Sequence, residues 1–313
     1  WATGDGTSVA STALSFRDFL GGPMKILVTG GAGYVGSTLV PLLLREGHQV
    51  LVLDNLMYGG AGILPLFGLP GFDFVRGDVC DAATLKRALR GADAVIHLAA
   101  IVGYPACKRD AALAVKTNLE ASRLLDALRE PDQALIYAST GSNYGAVVGE
   151  LCTEETPLRP LTVYGETKTK AEQGFLESGN CVAFRFATAF GVSPRMRLDL
   201  LINDFAYAAV RNRNLVVYEA TFKRTFIHVR DMARAFLFAI EHYDEMRDNA
   251  FNVGCDANNF SKREIAELIR SHFDFYLHFA DVGTDEDQRN YEVSYAKIER
   301  TGFRCLISVP DGV

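Results

Sequence analysis

Residues 25–36 read Lys-Ile-Leu-Val-Thr-Gly-Gly-Ala-Gly-Tyr-Val-Gly, which is a short apolar run followed by a glycine-rich turn. Gly31, Gly33 and Gly36 match the pattern G-x-G-x-x-G, and Gly30, Gly33 and Gly36 equally match a spacing of three residues. Glycine suits this turn because a Cβ atom would block the tight bend and the approach of a phosphate to the backbone. A helix that begins here offers unpaired N–H groups to an anion. The stretch therefore predicts a strand, a dinucleotide-binding turn and a helix.

Asp54 supports this interpretation of the glycine turn. It ends the next β-branched run, at about the distance from the turn where a carboxylate binds an adenosine ribose. Glycine triplets also occur in ordinary loops. The strand before the turn, the helical pattern after it and Asp54 together favour a dinucleotide site over a structural turn.

From Met24 onward, short β-branched segments alternate with longer amphipathic segments, which is typical of βαβ units and a parallel sheet. We predict strands at Lys25–Thr29, Gln49–Asp54, Phe72–Arg76, Ala94–Ala100, Gln133–Thr140, Cys181–Phe190, Leu215–Tyr218 and Ala250–Val253. We predict helices at Gly33–Glu46, Ala82–Arg90, Asp110–Arg129, Thr162–Ser178, Leu198–Arg211, Val229–His242 and Ser261–His272. Residues 55–72 are expected to form a long loop, and residues 291–298 are harder to assign.

The pattern divides the chain into two parts. Residues 24–190 with about 227–254 are expected to form an α/β domain of the Rossmann type, with a doubly wound parallel sheet. Residues 191–226 and 255–313, approximately, are expected to form a smaller mixed lobe that binds the substrate. Met24 resembles a natural start, so we expect residues 1–23 to be an extension outside this fold.

Composition excludes several classes of function. The net charge is −6 and the basic residues are scattered, which argues against nucleic-acid binding. No apolar run reaches the roughly 18–20 residues of a membrane span, and residues 1–23 lack the pattern of a secretory signal. The six cysteines form no C-x-x-C pair and the six histidines form no ligand-spaced cluster. These features predict a reduced, cytoplasmic protein without a structural metal.

Three polar residues are candidates for chemistry. Tyr164 and Lys168 are four residues apart in a predicted helix, so their side chains share one face. A nearby ammonium favours the phenolate form of a tyrosine, although a Tyr–Lys pair also occurs by chance on many exposed helices. Thr140 ends a predicted strand and carries a hydroxyl that can bond a substrate oxygen or cap a turn. Their combination with the glycine turn favours a catalytic role.

The order of these motifs resembles that of extended short-chain dehydrogenases/reductases of the nucleotide-sugar epimerase/dehydratase type. The likeness covers essentially everything after Met24. It rests on Thr29-Gly-Gly-Ala-Gly-Tyr-Val-Gly36, Asp54-Asn-Leu56, Gly77-Asp-Val79, His97-Leu-Ala-Ala100, Asn118, Ser139-Thr140, Asn143-Tyr-Gly145, Tyr164-Gly-Glu-Thr-Lys168 and Arg224-Thr-Phe-Ile-His-Val-Arg-Asp231.

The resemblance implies a role for each matching residue. Tyr164 would be the acid/base, Lys168 would lower its pKa and hold the nicotinamide ribose, and Thr140 would bond the reacting hydroxyl. The cofactor would be NAD rather than NADP, because the carboxylate of Asp54 repels a 2′-phosphate. The implied cofactor-binding residues are Gly30, Gly33, Tyr34, Val35, Gly36, Asp54, Asn55, Asp78, Val79, Leu98, Ala99, Ala100, Asn118, Tyr164 and Lys168.

The second lobe would bind a nucleoside-diphosphate sugar. Arg224 and Arg289 match arginines expected near the diphosphate, whose oxygens a guanidinium can bond in pairs. Thr188 stands where the family often has asparagine, and Thr140 would also contact the substrate. Arg195, Arg197 and Asn203 are further candidates, with a solvated charge or a helix-capping role as the alternative.

Departures from the family pattern narrow the expected reaction. Gly141-Ser142 stand where 4,6-dehydratases carry an Asp-Glu pair, and the serine loop lacks the cysteine of 3,5-epimerases. Cys107 is expected to be a buried structural thiol rather than a sugar contact. We therefore expect an NAD-dependent epimerase that acts at C4 through a transient ketone.

Several alternatives stay open at this point. They are a nucleotide-sugar oxidoreductase such as a 4-keto reductase, a 4,6-dehydratase, and a non-catalytic dinucleotide-sensing scaffold. The family also implies a homodimer that forms through the long helices near residues 110–129 and 162–178.

Overall fold

A computed structural model describes residues 22–147, 151–281 and 292–313 of the chain. Within these residues the strands are β1 (Lys25–Thr29), β2 (Gln49–Asp54), β3 (Phe72–Arg76), β4 (Ala94–His97), β5 (Ala134–Thr140), β6 (Leu151–Cys152), β7 (Cys181–Phe186), β8 (Thr188–Phe190), β9 (Asn214–Tyr218), β10 (Lys223–His228), β11 (Asn249–Val253), β12 (Asn259–Ser261), β13 (Tyr276–Ala280) and β14 (Glu292–Val293).

The helices connect these strands. In the same described ranges they are α1 (Gly36–Arg45), α2 (Ala82–Leu89), α3 (Tyr104–Arg109), α4 (Ala111–Val115), α5 (Ala121–Leu128), α6 (Val163–Ser178), α7 (Leu201–Asn212), α8 (Val229–Glu241), α9 (Tyr243–Met246), α10 (Lys262–His272), α11 (Ala296–Arg300) and α12 (Val309–Gly312). None of the described helices is both long enough and apolar enough to cross a membrane.

The main sheet has seven strands in the order β11-β7-β5-β4-β1-β2-β3. All of its strand pairs are parallel, and Thr29 of β1 lies between Leu53 of β2 and His97 of β4. After β3 the chain returns to the other side of β1, so the order reverses between β1 and β4. A crevice at the carboxyl ends of the strands is expected at such a reversal. This sheet confirms the predicted Rossmann-type α/β fold.

The sheet is apolar because helices cover both of its faces. Every residue of β4 and of β7 is buried. Side chains on one face pack with α1 and α8, as Leu39 and Phe236 do, while Leu85 and Phe175 belong to the cluster on the other face. The core therefore holds the ends of β1, β4 and β5 in fixed positions.

Five of the predicted elements are divided in the structure or differ from it by three residues at one end. The segment Cys181–Phe190 is two strands, because β7 ends at Phe186 and β8 leaves the main sheet to pair with β10. The first helix begins at Gly36 rather than Gly33, and β4 ends at His97 rather than Ala100. Helix α7 begins at Leu201 rather than Leu198. The long helix near residues 110–129 is interrupted by one π-helical turn at Lys116–Glu120. Periodicity in the sequence did not reveal these breaks, because the flanking residues continue the apolar pattern.

The part of the chain after β8 builds smaller sheets. One has the order β12-β10-β8, and another pairs β13 with β9. Their core includes Phe190, Ile202, Phe226 and Ile265. The strands β6, β10, β12, β13 and β14 were not predicted, and neither was the 3₁₀ helix Ala61–Leu66 inside the predicted loop. The division into two domains stays a prediction.

Candidate active site

One cavity of about 540 Å³ opens at the carboxyl ends of β1, β2, β4 and β5. Most of the candidate residues line it. They are Gly30, Gly33, Tyr34, Val35, Gly36, Asp54, Asn55, Val79, Leu98, Ala99, Ala100, Thr140, Tyr164, Lys168, Thr188, Arg195 and Arg197. The structure therefore brings the predicted cofactor turn and the predicted catalytic residues into one space.

The glycine turn has the shape that a bound dinucleotide needs. Gly30 has φ +72°, and a Cβ atom there would lie 2.7 Å from the Cα of Ala99. A Cβ atom on Gly36 would lie 2.5 Å from the Cα of Gly31, so α1 can approach β1 only without a side chain at this position. Gly33 lies between them at the cavity wall. The backbone of the turn is thus exposed to the cavity, where its N–H groups can bond phosphate oxygens.

Asp54 connects the turn to the next loop. Its Oδ2 accepts from the Ala32 N–H at 3.0 Å, and its Oδ1 accepts from the Leu56 N–H at 2.7 Å. Burial raises the pKa of this carboxyl above its ordinary value. Each carboxylate oxygen keeps acceptor capacity for a ribose hydroxyl. Asp54 can therefore shape the turn and bind a cofactor from the same position.

Two of the predicted cofactor contacts do not line the cavity. The Asp78 carboxylate accepts from the Cys80 N–H at 2.8 Å and from the Asn55 amide at 3.4 Å, so it shapes the loop that carries Val79. The buried Asn118 amide bonds both the N–H of Ile101 at 2.8 Å and its carbonyl at 2.9 Å. Asn118 is buried next to the cavity wall, whereas Asp78 is exposed and holds the loop that carries Val79.

Cys107 is a buried thiol beside the same loop. It does not line the cavity, and its Sγ–H donates to the Ile101 carbonyl at 3.3 Å. Burial raises the pKa of the thiol to about 11. The expected structural role of this cysteine agrees with these contacts.

The catalytic candidates come from β5 and α6. Thr140 is the last residue of β5, and its Oγ1 accepts from the Ser142 N–H at 3.2 Å. Helix α6 begins after Thr162, whose hydroxyl accepts from the Gly165 N–H at 3.1 Å and so caps the helix. This cap places Tyr164 in the first turn of α6 and Lys168 one turn later. All three side chains line the cavity.

Lys168 lies in an aromatic environment that the sequence did not predict. Only 3% of the residue is exposed, and its Nζ is 4.0 Å from the centre of the Tyr137 ring. Burial lowers the pKa of the amine to about 7, while the charge of Glu172 raises it. The ring face stabilises an ammonium in this position. Lys168 can therefore change its charge near neutral pH.

Glu172 lies close to the site and, like Tyr137, was not predicted from the sequence. It follows Lys168 by four residues on α6, so the spacing of Tyr164 and Lys168 continues one turn further. Only 1% of the residue is exposed, and Arg185 of β7 pairs with it at 2.6 Å. The i, i+4 spacing was a signal that could have identified it.

The two arginines of the loop after β8 lie at the cavity with partners already in place. The Arg195 guanidinium stacks 4.6 Å from the centre of the Tyr58 ring, in the loop that follows Asp54. Arg197 bonds both carboxylate oxygens of Asp199, at 3.2 and 2.6 Å. Asp199 therefore accepts from the two guanidinium N–H donors, at Nε and Nη2, that Arg197 could otherwise offer to an anionic ligand.

Two further substrate candidates, Asn203 and Arg224, are described by the structure and do not line the cavity. Asn203 accepts from the Gly191 N–H at 2.9 Å, and Tyr34 donates to the Gly191 carbonyl at 2.6 Å. These bonds tie the loop after β8 to the glycine turn. Arg224 is buried on β10, with Nη1 3.3 Å from the Lys223 carbonyl. Arg289 lies outside the residues that the structure describes.

The sequence of residues 26–254 matches the NAD dependent epimerase/dehydratase family. The chain belongs to this family. The match covers the glycine turn, the end of β5 and the Tyr164–Lys168 face of α6, and it confirms the resemblance inferred from the motifs. This is therefore an enzyme of an NAD-dependent family, and the glycine cradle at Gly30 and Gly36 fits that cofactor.

Proteins similar to this chain include enzymes with different reactions. A UDP-glucose 4-epimerase from Halalkalibacterium halodurans is 32% identical over 273 residues, which cover 79% of this chain and 80% of the relative. A dTDP-glucose 4,6-dehydratase from Streptomyces niveus is 32% identical over 310 residues, or 93% of this chain and 90% of the relative.

One solved structure of similar fold contains both a nucleotide sugar and NAD. The UDP-glucuronic acid 4-epimerase of Bacillus cereus, in complex with UDP-glucuronic acid and NAD, superimposes with a TM-score of 0.82 at 25% identity and covers 92% of this chain and 96% of its own. The comparisons establish the family and the NAD cofactor, and they include more than one reaction on nucleotide sugars.

Proposed function

We propose that this protein epimerises a nucleoside-diphosphate sugar at C4, through a transient ketone and without net oxidation. One observation carries the proposal. Thr140, Tyr164 and Lys168 line the same cavity as the glycine turn, so the proposed catalytic residues and the cofactor turn face one space that a sugar can enter. The similarity to the H. halodurans epimerase supports it further.

Each of these residues has a distinct task. The Tyr164 phenolate takes the proton of the sugar hydroxyl and later returns it, as a general base and then a general acid. Thr140 bonds the same oxygen, and the Lys168 ammonium favours the phenolate form of Tyr164. The glycine turn and Asp54 would hold NAD, which would supply a reversible hydride acceptor beside the sugar carbon. Configuration at C4 inverts if the ketone turns its other face toward the cofactor site before the carbon is reduced again, and Tyr164 returns the proton to the oxygen.

Water elimination needs an acid and a base beside the sugar, and the two carboxylates in the described part of the cavity wall already bond other protein groups. They belong to Asp54 and Asp199, which bond the glycine turn and Arg197 respectively. Gly141 and Ser142 stand where a dehydratase carries its acid and base, and the Ser142 hydroxyl accepts from the Thr140 hydroxyl at 3.2 Å. The similarity to the S. niveus enzyme makes 4,6-dehydration the second candidate nonetheless.

We propose that Thr188 of β8 and the loop after β8 bind the diphosphate or the sugar. Arg195, Arg197 and Thr188 line the cavity and can reach a ligand there. Arg224 and Arg289 remain proposed diphosphate ligands on the strength of the family pattern alone, and Asn203 is proposed to act by holding the loop. A bound anionic group should compete with Asp199 for the guanidinium of Arg197.

The experiment that tests the function is a panel of UDP-, GDP-, dTDP- and CDP-sugars incubated with the purified protein, with NMR of the products. An epimerase gives a C4 epimer and no change in NADH absorbance. A 4-keto reductase changes that absorbance continuously, and a dehydratase gives a 4-keto-6-deoxy sugar. Absence of turnover of every sugar contradicts the proposal. Tyr164→Phe is the matched inactive control.

We also propose a cytoplasmic homodimer. The six cysteines are free thiols, as expected in a reducing compartment. Helices α5 and α6 pack side by side, as in the expected dimer-forming pair. Light scattering of the purified protein measures the mass directly, and a monomer would contradict the dimer.

A further inference from the structure

Glu172 joins the elements that carry the proposed catalytic residues. Its Oε2 accepts from the Ser139 hydroxyl and from the Asn143 amide, the latter at 3.0 Å. Ser139 precedes Thr140, and Asn143 lies in the 3₁₀ turn Gly141–Tyr144 that follows it. Glu172 itself is on α6, one turn after Lys168. One carboxylate oxygen therefore ties both sides of Thr140 to the helix of Tyr164 and Lys168.

The other carboxylate oxygen fixes Glu172 in place. Its Oε1 accepts from Nε and Nη2 of Arg185, at 2.9 and 2.6 Å. Arg185 lies directly opposite Ser139 in the register of β5 with β7, so both side chains start from neighbouring positions of the sheet. The guanidinium is anchored in turn by the Tyr144 hydroxyl at 3.1 Å and the Glu154 carbonyl at 3.0 Å.

Glu172 and Arg185 are buried and do not line the cavity, whereas Ser139, which Glu172 bonds, does. Glu172 is 1% exposed and Arg185 is 6% exposed. A charge pair this deep carries a desolvation cost that an apolar pair would avoid, so it is weak evidence for stability alone. Its contacts are instead concentrated on the residues next to Thr140. This concentration is what a positioning role requires.

We infer that Glu172, held by Arg185, is a positioning residue that sets Thr140 against the Tyr164 and Lys168 face of α6. This inference rests on the proposed roles of those three residues in sugar epimerisation. Glu172 acts through Ser139 and Asn143 and never touches the substrate. Loss of its charge frees the turn that carries Thr140, and the hydroxyl then lies outside its productive position.

The first arm of the test measures the turn itself. Glu172→Gln is expected to speed amide hydrogen exchange in residues 139–144, because the carboxylate that accepts from Ser139 and Asn143 is gone. Asp231→Asn is the matched control. Asp231 is a buried carboxylate on α8 that pairs with Arg234 at 2.7 Å and accepts from two backbone N–H groups. This control should lose stability and leave exchange in 139–144 unchanged.

The second arm measures coupling to Thr140. We expect Glu172→Gln to lower kcat by about 10²-fold with little change in KM, since a small misplacement of a catalytic group costs that much. Thr140→Val should lower kcat strongly in the wild-type background and by a much smaller factor in the Glu172→Gln background. In the Asp231→Asn background Thr140→Val should lower kcat by the same factor as in the wild type, because the two changes are independent.

Each outcome decides the inference. Unchanged exchange in 139–144, or a full effect of Thr140→Val in the Glu172→Gln background, overturns it. Ser139→Ala keeps the buried ion pair and gives the same test if Glu172→Gln does not fold. If the wild-type protein converts no nucleotide sugar, the proposed function fails, and the exchange arm alone then decides whether Glu172 positions the turn.

Discussion

Lys168 and Tyr137 form a buried cation–π pair, with the Lys168 Nζ 4.0 Å from the centre of the ring. Tyr137 lies on β5 and Lys168 on α6, so the pair joins the two elements that carry the catalytic candidates. The ring compensates part of the cost of burying the amine. Burial still lowers the pKa of Lys168 to about 7.

This pKa predicts a pH dependence of stability. A lysine in an unfolded chain has a pKa of about 10.4, so between roughly pH 7 and pH 10 the unfolded chain binds a proton that the folded protein does not. Stability due to Lys168 therefore rises with pH in that window, by up to about 1.4 kcal/mol per pH unit. Lys168→Met should lose this rise.

Urea unfolding at pH 7 and pH 9.5 measures the effect of Lys168. Lys170→Met is the control, because Lys170 lies on the exposed face of the same helix. It should keep the wild-type slope. Equal slopes in the wild type and Lys168→Met would show that the amine is not buried as described.

Asp54 should decide how tightly the cofactor is held. Asp54→Asn weakens the bonds to the Ala32 and Leu56 N–H groups and removes the charge that repels a 2′-phosphate. Charged hydrogen bonds contribute about 1.5–3 kcal/mol, so we expect NAD affinity to fall about tenfold to a hundredfold. Discrimination against NADP should fall with it. Calorimetric titration with both cofactors checks this.

Asp93→Asn is the matched control for Asp54. The Asp93 carboxylate accepts from the Lys25 N–H at 2.7 Å, at the opposite end of β1 from the glycine turn. Its loss should leave the affinity for NAD unchanged. Equal affinity in Asp54→Asn and the wild type would remove Asp54 from the cofactor site.

Two glycine-to-alanine changes should have opposite effects on stability. A Cβ atom on Gly36 would lie 2.5 Å from Gly31, so Gly36→Ala forces α1 away from β1 and should cost about 1–3 kcal/mol or more. Gly174 is inside α6, and a Cβ atom added there would meet no neighbouring atom of the described residues within 4 Å. Gly174→Ala should stabilise the protein by about 0.4–1 kcal/mol.

Thermal and urea unfolding of the two alanine variants, with NAD titration, measures these effects. Gly36→Ala should also bind NAD more weakly, because the turn moves with the helix, whereas Gly174→Ala should bind it normally. A neutral Gly36→Ala variant would contradict the close approach of α1 to β1.

The sequence predicted the elements of the site better than its contacts. The positions of the glycine turn, Asp54, Thr140 and the Tyr164–Lys168 pair follow from local spacing and from the rule that parallel strands end at one edge of the sheet. The structure places all of them at the cavity. Local pattern was sufficient because each residue lies at an element end or on one helix face.

Contacts between residues far apart in the chain could not be predicted from the local sequence pattern. The bonds of Asn118 with Ile101 depend on how the π-helical turn packs against the loop after β4, and the pairing of Glu172 with Arg185 depends on how α6 packs against β7. The division of Cys181–Phe190 into β7 and β8 depends on the pairing of β8 with β10, which lies more than thirty residues later in the chain. Apolar periodicity carries no information on such partners.

The most direct test of the account uses a nucleotide sugar that carries deuterium at C4, chosen from those that the substrate panel identifies. Because the proposed reaction removes and returns the same hydrogen without exchange with solvent, NMR should show the C4 epimer with deuterium still at C4 and no accumulation of NADH. Loss of the deuterium to water, or its appearance at C6 of a 4-keto product, would contradict C4 epimerisation by this enzyme.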